Sequence, residues 1–460
     1  MSENKNKIIS RDIINDEINF DNNKSKTELV YEIRQWKMLL KENYNVRKGE
    51  TVAIGILDVN HLHLTSIIAC AELGLKIFLI DAPATEESLP YTKIALHGPV
   101  DYLIHDNFKG DELHGGLHGK MIREYSKELI DARELKLKVP TGMDYINEVS
   151  ENDIFLISST SGSTKPSRKV EFTHKEVYAI AQRNIDVFKL KPDTKILHSK
   201  NMHHVSAMLC TLLPALMVVK KHRSFTIAEF TEWQVKGLNL IDFNHVMIPN
   251  EKMLGWFIEF FDKNGGLQKG TILVMCGFTM TQKHIDMCKE YNIEFISHYG
   301  SVDTAIPLLV NYISGESEFT PDSLGVPPDD FYDIDVSSSH VSVNNSMWTE
   351  RRNMDDIIEI VDGQYILKGR IETIHLDDLI RLFVRVLRDR SLEGPFNATA
   401  PNPVTNREFT RALGEILKRP TFIPVPTFAL KIAFGESSVA LLTGQRAVPQ
   451  KALAWGCEFA

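Results

Sequence analysis

Apolar residues along this chain fall in short blocks separated by turn residues, and two periods alternate. Residues 51–57 (TVAIGIL) form a near-continuous apolar run, which predicts a buried strand. Residues 61–73 space their apolar positions as a helix does, and residues 76–80 form a second apolar run that ends at Asp81-Ala82-Pro83. A strand, a helix and a strand with short connections imply parallel pairing, with helices on the sheet faces. The same reading predicts strands over 103–105, 155–157, 195–198, 245–248, 272–275 and 294–297, and helices over 175–190, 207–218, 250–263 and 283–291. The expected class is α/β, without internal repeats. Ligands of open α/β sheets bind beyond the carboxyl ends of strands, so the loops that follow strands are where chemistry is expected.

One such loop follows the apolar run 154–157. It reads ISSTSGSTKPSRKVEFTH, with seven small residues from Ser158 to Thr164 and then cations at Lys165, Arg168 and Lys169. Small side chains and a Gly let backbone N–H groups approach an anion. Ser and Thr hydroxyls donate to phosphate oxygens, and the cations supply charge. On composition alone, an exposed Ser/Thr loop and a polyphosphate loop both fit.

The order of residues is more specific. Thr160-Ser161-Gly162-Ser163-Thr164-Lys165-Pro166-Ser167-Arg168-Lys169-Val170, then Thr173-His174, resembles the signature loop of the acyl-adenylate-forming superfamily, which includes acyl-CoA synthetases, aryl-acid ligases, luciferases and nonribosomal peptide adenylation domains. Lys165 and Lys169 stand where that family has Gly, and Arg168 stands at its Lys. Further segments follow in the family's order. Met202-His203-His204-Val205 resembles its His-containing acyl-pocket segment, and Cys276-Gly277-Phe278-Thr279-Met280-Thr281 its Gly-rich turn beside adenine. His298-Tyr299-Gly300-Ser301-Val302-Asp303 resembles Tyr-Gly-any-Thr-Glu. Trp348-Thr349, Asp356 and Gly369-Arg370 resemble the segment that closes the large domain.

The resemblance implies an adenylate-forming large domain of stacked α/β subdomains that binds ATP and Mg²⁺ and activates a carboxylic acid. It assigns Thr160, Ser161, Gly162, Ser163, Thr164 and Arg168 to the phosphates, Asp303 to the metal and Asp356 to the ribose. Arg370 would contact the nucleotide near the hinge, and His204, Gly277, Tyr299 and Gly300 would frame the acyl group and adenine. Asp303 is one methylene shorter than the family's Glu, and Val302 replaces a Thr expected at the α-phosphate. Asp355 is a close rival for Asp356, because a shift of one residue also fits the distance to Arg370. CoA or a carrier-protein thiol is the implied acceptor.

The composition changes after Arg370. Residues 1–370 hold 30 Lys and 23 Asn, whereas residues 371–460 hold 3 Lys, 3 Asn and 7 of the 19 prolines. The second segment closely resembles the C-terminal part of epimerase-like extended short-chain dehydrogenases, most specifically in the run Phe396-Asn397-Ala398-Thr399-Ala400-Pro401-Asn402-Pro403-Val404. It contains no Tyr, hence no Tyr-x-x-x-Lys pair, and the chain has no Gly-x-x-Gly-x-x-Gly turn. No NAD(P) site is therefore expected. The resemblance also calls for a mobile lid domain carrying a catalytic Lys after Arg370. Lys451, the last Lys, lacks that context, so turnover is expected to be impaired unless a lid is supplied in trans. The expected divisions are a polar, mobile N-terminus over 1–28, an adenylation domain over 29–370 and an epimerase-like segment over 371–460. A non-catalytic nucleotide-binding module or a fusion protein is the alternative, and a sugar-nucleotide epimerase is the reading least favoured.

Composition adds limits. The 460 residues are 43% hydrophobic with net charge −9, an ordinary globular balance that argues against a broad nucleic-acid surface. No apolar run reaches the roughly 18–20 residues of a spanning helix. Five scattered cysteines without a Cys-x-x-Cys fit reduced thiols in a cytoplasmic protein.

Overall fold

A computed structural model describes residues 7–20, 24–56, 61–80, 100–105, 126–132, 135–159, 169–198, 205–224, 243–248, 254–255, 257–259, 262, 268–276, 281–304, 307–318, 320, 323–336, 341–354 and 356–370. Strands and helices are numbered in chain order. The first sheet contains β3 (Thr51–Gly55), β4 (Lys76–Leu79), β5 (Val100–His105), β6 (Ser126–Asp131), β7 (Ile154–Ser159) and β8 (Lys169–Thr173), in the order β6-β5-β3-β4-β7-β8. β3 pairs parallel with β4 across the helix α2 (His61–Glu72), as the alternating apolar pattern predicts. Only β7 and β8 pair antiparallel, because a hairpin joins them.

The second sheet has eight strands. In it β9 (Lys195–His198), β10 (Lys221–Ser224), β11 (His245–Ile248), β12 (Ile272–Cys276) and β13 (Glu294–Tyr299) run parallel, and β14 (Leu309–Ile313) pairs antiparallel with β13. Two short N-terminal strands, β1 (Asn19–Phe20) and β2 (Lys24–Ser25), extend its other edge, where β1 pairs parallel with β10. A three-stranded sheet of β15 (Asp333–Asp335), β16 (Ser342–Asn344) and β17 (Arg352–Asn353) follows. A hairpin of β18 (Asp356–Val361) and β19 (Gln364–Arg370) ends the described chain.

Helix starts follow local rules. α1 (Lys26–Met38) begins at Ser25 and α3 (His174–Val187) at Thr173, and each N-cap closes a capping box with a Glu three residues on, Glu28 and Glu176. The helix expected over 207–218 divides into a single turn, Val205–Ala207, a wider-turned stretch, Met208–Leu212, and α4 (Leu213–Val218). α5 (Gln282–Tyr291) matches its expected span within a residue. The helix expected over 250–263 lies largely outside the described residues.

One expectation is overturned. The N-terminal segment reads as mobile, yet Ile9, Ile14, Ile18 and Phe20 are buried in the main hydrophobic core. Its polar residues are spent on contacts that local pattern does not reveal. Asn15 N–H donates to the Leu216 carbonyl (2.7 Å), and Asn19 N–H to that of Lys220 (2.7 Å). Arg11 reaches the other way, to Glu72 on α2 and to Asp144 (2.8 Å). The segment thus stitches the first sheet's helix layer to the second sheet.

Lys37 sits at the centre of this stitch. It is fully buried, with Nζ 2.7 Å from Glu72 and 2.6 Å from Asp144. Burial pushes both carboxyls up, but hydrogen bonds from Arg11 and the charge of Lys37 outweigh it, and both are held below the usual carboxylate range.

Candidate functional site

The elements that end near one another carry the expected site. Strand β13 ends at Tyr299 because Gly300 follows it and the chain turns; after the return, Leu308 N–H donates to the Tyr299 carbonyl (2.8 Å). The Tyr299 hydroxyl donates to Oδ2 of Asp356, the first residue of β18. Asp356 is buried at 5% exposure, which distinguishes it from a solvated acidic turn. Directly across the hairpin, its backbone partner is Arg370. Three residues chosen for the nucleoside end, Tyr299, Asp356 and Arg370, therefore belong to one joint. Its hydroxyl–carboxylate contact spans 57 residues of sequence. Asp355, the rival for the ribose role, lies outside the described residues.

The joint is held against the second sheet by a segment that carries no family-like motif. Val310 and Val326 exchange backbone hydrogen bonds (2.9 and 3.1 Å), while Leu324 N–H donates to Tyr365 (2.8 Å) and Tyr365 N–H to Gly325 (3.3 Å). Residues 324–326 thus bridge β14 and β19. Gly325 has φ +92°, and a Cβ there would lie 2.2 Å from the Val310 carbonyl oxygen. Only Gly allows this approach. A lone Gly before Val-Pro-Pro gives no local sign of that role.

After Gly300, residues Val302–Thr304 form a single 3₁₀ turn, which places the backbone of Asp303 just beyond β13. Ser301 N–H donates to the Thr304 hydroxyl (3.0 Å), and Thr304 N–H to the Ser301 carbonyl (3.2 Å). Among the described residues no group of three or more His, Cys, Asp or Glu is arranged to hold a metal ion.

The expected phosphate loop, with Thr160, Ser161, Gly162, Ser163, Thr164 and Arg168, lies outside the described residues, as do His204 and Gly277. Their flanks are placed. Ser159 pairs with Lys169, so residues 160–168 connect the two strands of the β7–β8 hairpin. Cys276, just before Gly277, pairs with His298, just before Tyr299, on adjacent parallel strands.

Arg352 and Arg183 tie β8 and α3 to the segments beyond β14. Arg352 of β17 stacks over Trp348 (3.8 Å to the ring centre) and over Phe172 of β8 (5.1 Å), and it pairs with Glu176 of α3 (3.6 Å). Arg183 of α3 donates from Nε to Asp329 (2.6 Å) and from Nη1 to the Pro307 carbonyl (2.7 Å). Arg183, Arg352, Thr304 and Gly325 lie in no family-like motif, so nothing local in the sequence marks them.

His174, which follows the loop in sequence, is fully buried against Phe155 and accepts the Ile9 N–H through Nδ1 (3.2 Å). Burial lowers its pKa to about 4, so it is neutral. It belongs to the N-terminal stitch.

Solved structures share this architecture. O-succinylbenzoate coenzyme A synthetase from Bacillus subtilis, in complex with AMP, matches with a TM-score of 0.62 at 16% identity, covering 80% of this chain and 98% of that one. The adenylation domain of a keto acid-selecting nonribosomal peptide synthetase module, bound to a keto acyl adenylate, matches with a TM-score of 0.61 at 13% identity, over 77% of this chain and 79% of that one. The N-terminal domain of FACL13 from Mycobacterium tuberculosis, bound to an inhibitor, matches with a TM-score of 0.60 at 16% identity, over 75% of this chain and 92% of that one. The fold is that of adenylate-forming enzymes.

Sequence relatives point elsewhere. A family model described as a domain of unknown function (DUF1731) matches residues 425–460. The chloroplastic epimerase family protein SDR39U1 homolog of Arabidopsis thaliana is 45% identical over 86 residues, which are 19% of this chain and 25% of that protein. The epimerase family protein YfhF of Bacillus subtilis is 38% identical over 99 residues, 21% of this chain and 33% of that protein. The chain spans only a quarter to a third of the length of these relatives. Among the described residues no helix is long and apolar enough to cross a membrane.

Proposed function

We propose that residues 29–370 activate a carboxylic acid with ATP, a carboxylate oxygen attacking the α-phosphorus to give acyl-AMP and releasing pyrophosphate. The observation that carries this reading is the joint of Tyr299 and Asp356 opposite Arg370, in a fold shared with adenylate-forming enzymes. A carboxylate has two oxygens and about four acceptor sites, so it can accept from Tyr299 and from ribose hydroxyls together. The phenol orients one oxygen of Asp356. The buried position shields the carboxyl group from water, which strengthens hydrogen bonds made to it.

Ser161, Gly162, Ser163, Thr164 and Arg168 are proposed for the β,γ-phosphates, and Asp303 for Mg²⁺, which would neutralise charge on the phosphates. His204, Gly277 and Gly300 are proposed to frame the acyl group and adenine. Positioning carboxylate and phosphate together is the main catalytic contribution expected of this chain. CoA or a carrier-protein thiol would accept the acyl group. The direct test is pyrophosphate release with ATP, Mg²⁺ and a panel of acids; the reading fails if millimolar ATP does not bind.

A second reading is favoured by the family match at residues 425–460, which stands where a lid domain is called for. In that reading the site holds a nucleotide without useful turnover. Nucleotide binding by calorimetry, with no exchange of labelled pyrophosphate into ATP, distinguishes it.

A further inference from the structure

The turn that carries Asp303 is fastened from outside as well as from within. The Tyr332 hydroxyl donates to the carbonyl of Thr304, the last residue of the turn. Tyr332 is itself boxed in, with the Phe331 ring edge-on at 4.9 Å, the Trp348 ring at 5.7 Å and the Arg183 guanidinium 5.1 Å from its ring centre. Burial pushes its phenol well above the ordinary tyrosine range, so it remains a protonated donor. Arg183 anchors both ends of the intervening chain, through the Pro307 carbonyl and Asp329. The hydroxyl that meets Thr304 therefore has little freedom to move.

The geometry points to Tyr332 as a positioning residue for metal-bound nucleotide: its hydroxyl fixes the Val302–Thr304 turn so that residue 303 is presented at one place. The inference rests on the reading of Asp303 as the carboxylate for the cation. Mg²⁺ demands oxygen distances of about 2.0–2.1 Å in near-octahedral geometry. Asp has one methylene less than Glu with which to absorb a misplaced backbone. A fixed turn matters more for a short side chain than for a long one.

The test is calorimetric titration of ATP into the full chain at a series of Mg²⁺ concentrations. Tyr332→Phe keeps the ring and removes only the hydroxyl. It is expected to raise the half-saturating Mg²⁺ roughly fivefold, the size of one buried hydrogen bond. Thr304→Val removes the inner fastening and is expected to act in the same direction, which keeps the test alive if the first variant folds poorly. Tyr312→Phe is the control, since it also loses a phenol-to-carbonyl hydrogen bond, from β14 to Val187 (3.0 Å), at a more exposed place away from the turn; its Mg²⁺ requirement is expected to match the wild type. A Tyr332→Phe protein that binds ATP with unchanged Mg²⁺ dependence overturns this inference alone. A wild-type protein whose ATP binding ignores Mg²⁺ overturns it together with the role given to Asp303.

Discussion

The N-terminal stitch and the Tyr299–Asp356 joint both fasten stretches far apart in sequence, but with different chemical groups. In the stitch, buried Lys37 and partly buried Arg11 face Glu72 and Asp144, so each charge meets its opposite. In the joint, a neutral phenol meets the carboxylate of Asp356. A carboxylate clamped by two cations is committed to structure. The carboxylate of Asp356, which a phenol orients, is instead the one proposed for the ribose. The first arrangement is expected to set stability and the second ligand affinity.

Four experiments can break or sharpen that contrast, taken from the largest expected effect to the smallest. Lys37→Met leaves two partly buried carboxylates with Arg11 as their main cation and should cost about 3 kcal/mol in denaturant unfolding, the low end for a broken buried pair. The ATP affinity of the folded protein should not change. If stability is unaltered, the stitch is decorative and the contrast fails.

Acid should loosen the stitch side as well. His174, which accepts the Ile9 N–H, is held by burial at about 4, below the ordinary 6.5, so the unfolded chain takes up a proton first. Its contribution is fully present above about pH 6.5 and is lost as the pH falls toward 4, up to about 3 kcal/mol. His245, held at about 4, and His222, at about 3, steepen the same limb because burial lowers both. Unfolding midpoints measured between pH 7 and 4 should fall throughout this window, and a flat profile would exclude a neutral buried His174.

On the joint, Asp356→Asn keeps size and hydrogen-bonding capacity but removes charge. ATP affinity should fall roughly 10–100-fold, about 1.5–3 kcal/mol for hydrogen bonds to a charged group. The melting temperature should move little. A large loss of stability with unchanged affinity would make Asp356 structural, like Glu72. Tyr299→Phe is the gentlest probe. It leaves the carboxylate but frees its orientation, and a loss of about fivefold in ATP affinity is expected. An unchanged affinity would mean that Asp356 is held in place without the phenol.

Much of the fold was legible because its signals are local. The apolar runs at 195–198 and 245–248 became β9 and β11 with unchanged ends, since a buried parallel strand needs only a short apolar block. The order of motifs from the Ser/Thr loop to Arg370 anticipated a fold that solved adenylate-forming enzymes share at no more than 16% identity. The resemblance of the C-terminal segment to epimerase-like proteins likewise agrees with the epimerase family relatives found by sequence. Less was legible where polar residues find distant partners. The segment around Arg11 and Asn15 reads as a solvated tail because its hydrogen bonds go to Glu72 and Leu216. Gly325 reads as an ordinary loop Gly, because the carbonyl that excludes a side chain belongs to Val310, on another strand.

The sequence by itself determined the elements, their order and the residue types proposed for a nucleotide: small residues and cations after β7, a Tyr-Gly at the end of β13, and acids before Gly369-Arg370. Each of these is carried by a few consecutive residues. Only the tertiary structure decided that Asp356 is a buried carboxylate held by Tyr299, that Lys37 is an interior cation, and that Tyr332 holds the turn at residue 303. Those outcomes depend on burial and on contacts across tens of residues, and no local period encodes which distant side chain will arrive.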